Sequence, residues 1–371
     1  MLKISAAMPQ SYRDASPDEL ADRIAIAKAR LGDRLLILGH HYQMDEVMRF
    51  ADARGDSFGL SRIAADQRDA DLIVFCGVHF MAESADILTS SEQRVLLPDL
   101  SAGCQMADMA DIDQVERAWD DLARVCDVDR VVPITYMNST AAIKAFVGRH
   151  GGAVCTSSNA AAVLEWALSP DEEGRTRGDK VLFFPDQHLG RNTATLMGYD
   201  PSLMGLWDPS LPLGGLEEST VKAATFLLWK GHCSVHQRFT TEQITNFRAS
   251  HPSGVVVVHP ECSAEVVAAA DASGSTDAII KFVEAQDPGT SIGIGTEVHL
   301  VKRLADEHPE HEIICLDPEV CPCATMSRID APHLCWVLEE AVDGRIRNQI
   351  TVDDETATWA KVALDRMLSI L

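Results

Sequence analysis

Three strand-forming runs in this sequence each lead into a loop that carries a cysteine. The loops contain Cys104, Cys233 and, in the third run, both Cys321 and Cys323. Three such units around one point would supply three thiolates. Three thiolates with one open position are typical of a metal-centred active site, either a 4Fe–4S cluster with one iron not bound by protein or a catalytic zinc ion. The pattern alone does not separate Cys321 from Cys323.

A second set of polar residues follows the first strand-forming run of each unit. Its members are His40, Tyr42, Tyr136, Asn138, His259 and Glu261. Alternate side chains of an extended chain lie on the same side, so Tyr136 shares a side with Asn138, and His259 with Glu261. Imidazole, phenol and carboxylate groups are the donors and acceptors of general acid–base catalysis.

Hydroxyl residues form a third set, placed where helices are predicted to begin. They are Ser57, Ser157 and the pair Ser275–Thr276. Each could be a plain N-cap. The functional interpretation is anion binding, because free N–H groups and the helix dipole attract carboxylates and phosphates. A chain with a net charge of −24 could bind acidic ligands in this way without lysines.

The elements that must position these sets recur in the same order. Strands are predicted at Leu35–Leu38, Leu72–Phe75, Val95–Leu97, Arg130–Ile134, Lys180–Phe184, Thr225–Trp229, Val255–Val258, Ser291–Gly295 and Glu312–Leu316. Strands that alternate with helical patterns indicate βαβ units and parallel sheets. Such sheets bind ligands at the carboxyl ends of their strands, where all three sets lie. The predicted fold class is therefore α/β, with one unit repeated three times.

The repeat pattern also divides the chain. Residues 1–34 are a lead-in segment whose helix starts with Ser16 as N-cap, followed by Pro17 and Glu19. The predicted repeats span 35–125, 126–250 and 251–330, and helices over 331–371 complete the chain. Residues 196–224, rich in glycine and proline, are interpreted as an inserted loop or lid in the second repeat.

Composition narrows the class of protein. No Lys/Arg cluster offers a nucleic-acid surface. No run of about 18 apolar residues predicts a membrane-spanning helix, and residues 1–10 do not resemble a signal peptide. Ten cysteines in such a chain favour a reducing compartment, the cytoplasm. Six of them lie in or beside apolar runs and are assigned to packing: Cys76, Cys126, Cys155, Cys262, Cys315 and Cys335.

Taken together, these motifs resemble the quinolinate synthase family, including its longer members. The matching segments are Gly39–Gln43, Gly55–Ser57, Ala102–Asp108, Thr135–Ser139, Thr156–Asn159, Phe184–Gly190, Trp229–Cys233, His259–Cys262, Gly274–Thr276 and Cys323–Met326. The resemblance implies three similar αβα domains around a pseudo-threefold axis with a central active site. It also implies a 4Fe–4S cluster on Cys104, Cys233 and Cys323, the last preferred because Met326 follows it by three residues.

The resemblance further implies an activity. The family condenses iminoaspartate with dihydroxyacetone phosphate to quinolinate, phosphate and two waters, a transferase step of de novo NAD biosynthesis. Substrate contacts carry over to His40, Ser57, Tyr136, Asn138, Ser157, His259, Glu261 and Thr276. Our hypothesis makes Glu261 the base, with His40, Tyr42, Tyr136 and His259 moving protons and orienting carboxylates. A transient association with the L-aspartate oxidase that supplies iminoaspartate is expected.

Two other functions fit the residue pattern. Another 4Fe–4S hydro-lyase acting on a small hydroxy acid would use the same groups, and only the family motifs favour condensation. A non-catalytic cluster or zinc sensor is the second alternative, but it would not need polar residues at the strand ends of all three repeats.

Overall fold

The structure, a computed structural model, describes residues 7–170, 173–319 and 322–370. These residues form two compact units. The first comprises the described residues of 1–104, 297–303 and 321–352, and the second those of 105–296, 304–320 and 353–371. Cys321, one of the two candidates for the third thiolate, lies outside the described residues.

The first unit contains one parallel sheet. Its strands are β1 (Leu35–His40), β2 (Ala53–Gly55), β3 (Leu72–Cys76) and β4 (Arg94–Leu96), in the spatial order β2-β1-β3-β4. All five residues of β3 are buried, as expected for a sheet covered on both faces. The carboxyl end of β1 thereby presents His40, which is itself buried.

The second unit contains two further parallel sheets. One has five strands, β5 (Val131–Tyr136), β6 (Ala153–Cys155), β7 (Lys180–Phe184), β8 (Met204–Trp207) and β9 (Phe226–Trp229), in the order β6-β5-β7-β9-β8. The other has four, β10 (Val255–Val258), β11 (Ala272–Ser273), β12 (Ser291–Gly295) and β13 (Glu312–Cys315), in the order β11-β10-β12-β13. The ladders of both sheets are parallel.

The three sheets share one strand order, which confirms the predicted α/β fold with a repeated unit. Once the inserted β8 is set aside, the first strand of each sheet is internal, the second lies at the edge beside it, and the third and the last follow on its other side. The prediction missed the second strand of every repeat. These strands have only two or three residues, too few for a pattern of period two to be recognised.

The insertion in the second repeat is also more regular than predicted. Its β8 pairs in parallel with β9 and adds an outer strand to the five-stranded sheet, so the interpretation as a loop or lid is wrong for this stretch. Trp207 of β8 is almost fully buried. The turn after β8 approaches the Trp207 ring at Gly214. There φ is 65°, and a Cβ would overlap the indole.

Helices connect and cover the strands. They are α1 (Gln10–Arg13), α2 (Pro17–Leu31), α3 (Asp45–Met48), α4 (Ser57–Asp66), α5 (His79–Leu88), α6 (Ile112–Val125), α7 (Ala141–Arg149), α8 (Ala160–Leu168), α9 (Gln187–Leu196), α10 (Glu218–Ala223), α11 (Thr241–Ser250), α12 (Ala264–Ala269), α13 (Thr276–Glu284), α14 (Val298–Glu307), α15 (Ala331–Val342) and α16 (Asp354–Ser369). Within the described ranges, none is long and apolar enough to cross a membrane.

The lead-in and C-terminal helices form as predicted. Ser16 accepts from the backbone N–H of Glu19 to cap α2, which ends at Gly32 with a φ of 56°. In the first unit, Arg23 of α2 donates to Glu339 of α15 at 2.8 Å. In the second unit, α16 packs on α7 so closely that a Cβ at Gly148 would overlap the carbonyl of Trp359.

This contact predicts that Gly148→Ala destabilises the protein. The added methyl group must push α16 away from α7, and such overpacking costs about 1–3 kcal/mol. We expect a lower midpoint in thermal unfolding. Gly59→Ala in α4 is the matched control, because the nearest atom to its Cβ is Asp56 Oδ1 at 3.4 Å. Equal midpoints for both variants would show that α7 and α16 are not held in this close contact.

Candidate active site

A buried cluster surrounds Glu261 in the second unit. Glu261 follows β10, is 3% exposed, and accepts a hydrogen bond from Nδ1 of His236 at 2.7 Å. The Tyr136 hydroxyl at the end of β5 donates to the same carboxylate. Nε2 of His236 lies 3.1 Å from the hydroxyl oxygen of Thr296, which follows β12. The ends of three strands therefore converge on one carboxylate, as the sheet topology requires.

Two histidines at equivalent strand ends are held in the same tautomer. Nδ1 of His259 accepts from the backbone N–H of Glu261 at 3.3 Å. Nδ1 of His40 in the first unit accepts from the backbone N–H of Tyr42 at 3.2 Å. A neutral imidazole with an accepting Nδ1 carries its proton on Nε2. Burial, then the neighbouring His236, lowers the pKa of His259 to about 3 and keeps its ring neutral.

Glu261 has a carboxyl neighbour, Asp186, whose pKa is shifted in the opposite direction. Burial and then the charge of Glu261 raise the pKa of Asp186 well above its ordinary value. Burial alone would favour the neutral acid of Glu261 too. The nearby His236 and His259, with the hydrogen bonds from His236 and Tyr136, outweigh burial and hold its pKa below the usual range. Two buried carboxyls pushed apart in this way divide into one acid and one base.

Two polar atoms near these strand ends are buried without a hydrogen-bond partner among the described residues. They are Oδ1 of Asn138 and Oδ2 of Asp186. The other oxygen of Asp186 accepts from the backbone N–H groups of His188 and Leu189, at 2.6 and 3.2 Å. Buried polar groups are normally paired, so unpaired ones at strand ends indicate a place for a polar ligand.

The hydroxyl residues lie at helix starts, with different roles in each repeat. Ser57 and Thr276 are the first residues of α4 and α13, while Asp56 and Ser275 before them provide the caps. The side chains of Ser57 and Thr276 are thus not the N-caps. In the second repeat, Ser157 lies half-buried in the turn before α8. Its neighbour Ser158 is exposed.

Cys233 offers a candidate metal ligand beside Glu261. Its Sγ, a ring nitrogen of His236 and a carboxylate oxygen of Glu261 all lie within 4.8 Å of one another. A thiolate, an imidazole and a carboxylate can share a transition metal. Within this group, His236 and Glu261 are hydrogen-bonded to each other, and Cys233 is half-buried.

The other two candidate ligands belong to the first unit, in loops that are tied together. Oε1 of the fully buried Glu297 accepts from the backbone N–H of Cys323 at 3.1 Å. Arg328, five residues further on, donates to Asp99 and Ser101 at 3.2 and 2.6 Å, in the turn that leads to Cys104. Both thiols are half-buried.

Most cysteines assigned to packing are indeed enclosed. Cys76, Cys155, Cys262 and Cys335 are fully buried, and burial raises the pKa of the first and last of these thiols to about 12. Cys126 and Cys315 are half-buried. A thiol with so high a pKa does not readily form the thiolate that metals bind.

Three residues of the Glu261 cluster were not predicted from the sequence. Asp186 follows β7 as Glu261 follows β10, so its place at a strand end could have revealed it. Thr296 follows β12 in the same way. His236 could not be found by that rule, because it lies in a short 3-10 helix three residues after Cys233. The predicted residues divide between the units, with His40, Tyr42, Ser57, Cys104 and Cys323 in the first and Tyr136, Asn138, Ser157, Cys233, His259, Glu261 and Thr276 in the second.

The sequence of this chain is similar to those of known proteins over nearly its full length. The family model described as quinolinate synthetase A protein matches residues 22–369. A quinolinate synthase of Corynebacterium glutamicum is 56% identical over 98% of this chain and 91% of its own length. Those of Rhodopirellula baltica and Halalkalibacterium halodurans are 54% and 52% identical, over 97% and 99% of this chain and 93% and 98% of their own lengths.

An α/β chain with a buried acid–base cluster at its strand ends has the features of an enzyme. This chain belongs to the quinolinate synthase family. The predicted family, fold class and enzymatic function, with a role in NAD biosynthesis, are thereby confirmed. The assignment of individual site residues stays a prediction.

The cluster predicts a strong coupling between His236 and Glu261. Removing the donor in His236→Phe leaves a buried carboxylate with one fewer partner, which costs about 3–5 kcal/mol. Urea unfolding should show this loss. In the Glu261→Gln background the carboxylate charge is gone, and the same His236 change should cost much less. Equal losses in both backgrounds would mean that the two side chains do not interact.

Proposed function

We propose that this chain forms quinolinate from iminoaspartate and dihydroxyacetone phosphate, releasing phosphate and two waters, with Glu261 as general base. The observation that carries this proposal is the buried Glu261 carboxylate, oriented by His236 and Tyr136 in a member of the quinolinate synthase family. A base must be ionised and fixed before the substrate arrives, and two donors on one carboxylate achieve both.

Both substrates are anions, and the chain offers neutral donors to hold them. His40 and His259 each have an Nε2–H, because Nδ1 of each ring accepts a backbone N–H. The starts of α4 and α13, at Ser57 and Thr276, supply free backbone N–H groups and the positive end of the helix dipole. We assign carboxylate and phosphate binding to these groups, with Ser157 serving the second repeat.

Amide and phenol groups complete the substrate set. Asn138 has a buried carbonyl oxygen that lacks a partner among the described residues, so a substrate amine or hydroxyl could donate to it. Tyr42 lies edge-on to the His40 ring, with centroids 4.8 Å apart, which places its phenol beside the end of β1. We propose that Tyr42 and Tyr136 carry protons to and from the substrates.

We propose that Cys104, Cys233 and Cys323 hold a 4Fe–4S cluster. The support is chemical: all three are half-buried thiols in loops, whereas four of the other described cysteines are fully enclosed. Three thiolates are the donor set of a cluster with one open iron, and when bound it supplies a Lewis acid for loss of hydroxide. Glu261 is assigned to proton transfer, since it already accepts from His236 and Tyr136.

The two carboxyl groups, Glu261 and Asp186, are assigned different roles in proton transfer. Glu261 is ionised and can take a proton from a carbon next to the imine or carbonyl of the substrate. Burial and the charge of Glu261 raise the pKa of Asp186 and so favour its neutral form, which adds no second negative charge beside an acidic substrate. We further place the enzyme in the cytoplasm, and propose that it meets L-aspartate oxidase transiently, because an imine hydrolyses in water.

The base assignment is tested by Glu261→Gln, which keeps the shape of the side chain but cannot accept a proton as a carboxylate does. We expect kcat to fall about 10²–10⁴-fold, the range of general base catalysis, while the visible absorption of the cluster remains. Glu265→Gln, an exposed carboxylate four residues further on, is the matched control and should turn over normally. Near-normal turnover by Glu261→Gln would end the assignment.

The ligand assignment is tested by alanine variants of Cys104, Cys233 and Cys323, purified without oxygen. Each should lose the chromophore and bind far fewer than about four irons per chain. Cys315→Ala, a half-buried cysteine assigned to packing, should keep both. Cys321→Ala decides the remaining choice: a full cluster in that variant supports Cys323, and its loss would replace Cys323 by Cys321.

A further inference from the structure

The side chain of Asn192 spans from α9 to the loop that carries Glu261. Asn192 is 8% exposed, and its Nδ2 donates to the carbonyl oxygens of Pro260 and Cys262, each at 2.8 Å. These are the residues immediately before and after Glu261. One amide group therefore holds the backbone on both sides of the proposed base.

The helix that carries Asn192 is itself fixed to the five-stranded sheet. Its first turn is capped by Asp186, which follows β7. A Cβ at Gly190 would lie 2.8 Å from side-chain atoms of both Phe183 and Leu228, so glycine lets α9 approach β7 and β9 closely. Through α9, Asn192 thus links the five-stranded sheet to the loop that follows β10 of the four-stranded sheet.

The loop after β10 needs such an anchor. Within it, Cys262 donates its backbone N–H to the carbonyl of His259 at 3.0 Å, a single turn with Glu261 near its tip. The carboxylate must reach both Nδ1 of His236 and the Tyr136 hydroxyl, which lie outside this loop. A small rotation of the turn would move the carboxylate away from both donors.

We infer that Asn192 is a positioning residue, which sets the place of the Glu261 carboxylate by holding the carbonyl groups of the residues before and after it. The inference rests on the proposed role of Glu261 as base. Asparagine suits the task because its one nitrogen carries two N–H donors, one for each carbonyl. Leucine has nearly the same shape but no donor, and aspartate offers oxygens that repel the carbonyls.

The test compares Asn192→Leu with the native holoenzyme in two measurements. We expect kcat to fall about 10- to 100-fold with little change in KM, because the base is displaced while substrate binding groups stay in place. Hydrogen exchange should speed up about tenfold or more in the peptide covering residues 259–263, which reports the amides of Glu261, Cys262 and Ser263. Asn192→Ser, which keeps one donor, should show smaller changes in the same direction and serves if the leucine variant does not fold.

Thr193→Val is the matched control, since it removes a buried hydroxyl from the neighbouring position of the same helix. It should leave both kcat and the exchange of residues 259–263 unchanged. Faster exchange with a native kcat would overturn the inference, because Asn192 would then hold the loop without affecting catalysis. A lower kcat with unchanged exchange would also overturn it, because Asn192 would be acting elsewhere.

The failure of the proposed function has a different signature. Near-normal turnover by Glu261→Gln would overturn the assignment of Glu261 as base, and with it the catalytic role of Asn192. The exchange measurement does not depend on turnover, so it still decides whether Asn192 holds the loop. If Glu261→Gln lowers kcat but Asn192→Leu has the native kcat, Glu261 remains the base and only the positioning role of Asn192 is rejected.

Discussion

The site of this enzyme depends on the stabilisation of one buried negative charge. A carboxylate that is 3% exposed would ordinarily take up a proton, since burial penalises the charged form by several kcal/mol. Glu261 stays ionised because His236 donates to one oxygen and the Tyr136 hydroxyl adds a second hydrogen bond. The elements that present these donors, a 3-10 helix and the end of β5, are therefore constrained by the charge they neutralise.

The repeated fold explains how such a cluster can be assembled from distant parts of the sequence. Parallel strands end at the same edge of a sheet, so β5 and β7 end together in one sheet, and β10 and β12 end together in another. Hydrogen bonds among Tyr136, His236 and Glu261 join residues of both edges within the second unit. The repeats also reuse local geometry. His40 at the end of β1 and His259 after β10 each accept the backbone N–H of the residue two positions later, and so carry their protons on the same nitrogen.

Much of the fold could be predicted from the sequence, because long buried strands leave continuous apolar runs. Leu35–His40, Lys180–Phe184 and Val255–Val258 are of this kind. The short strand β11, with only Ala272 and Ser273, has no such pattern and is defined by its pairing with β10. Strand β8 lay hidden among glycines and prolines, and pairing along β9 and the burial of Trp207 override that composition.

The candidate site was predictable to a similar extent. Residues at or just beyond the end of a strand, such as Tyr136 and Glu261, could be found from pattern alone. His236 and Asn192 could not, because a helical residue reaches the site only through the packing of its helix. The protonation of Asp186 was equally hidden, since it depends on burial and on the charge of a residue 75 positions away in the chain.

The most direct test of this account is an anaerobic crystal structure with an unreactive dicarboxylate analogue of iminoaspartate. We predict that Glu261 keeps its hydrogen bond to His236 and faces the carbon from which a proton would be removed, while Oδ1 of Asn138 gains a donor from the ligand. An analogue bound away from Glu261, or a Glu261 oxygen bound directly to a metal, would contradict the account.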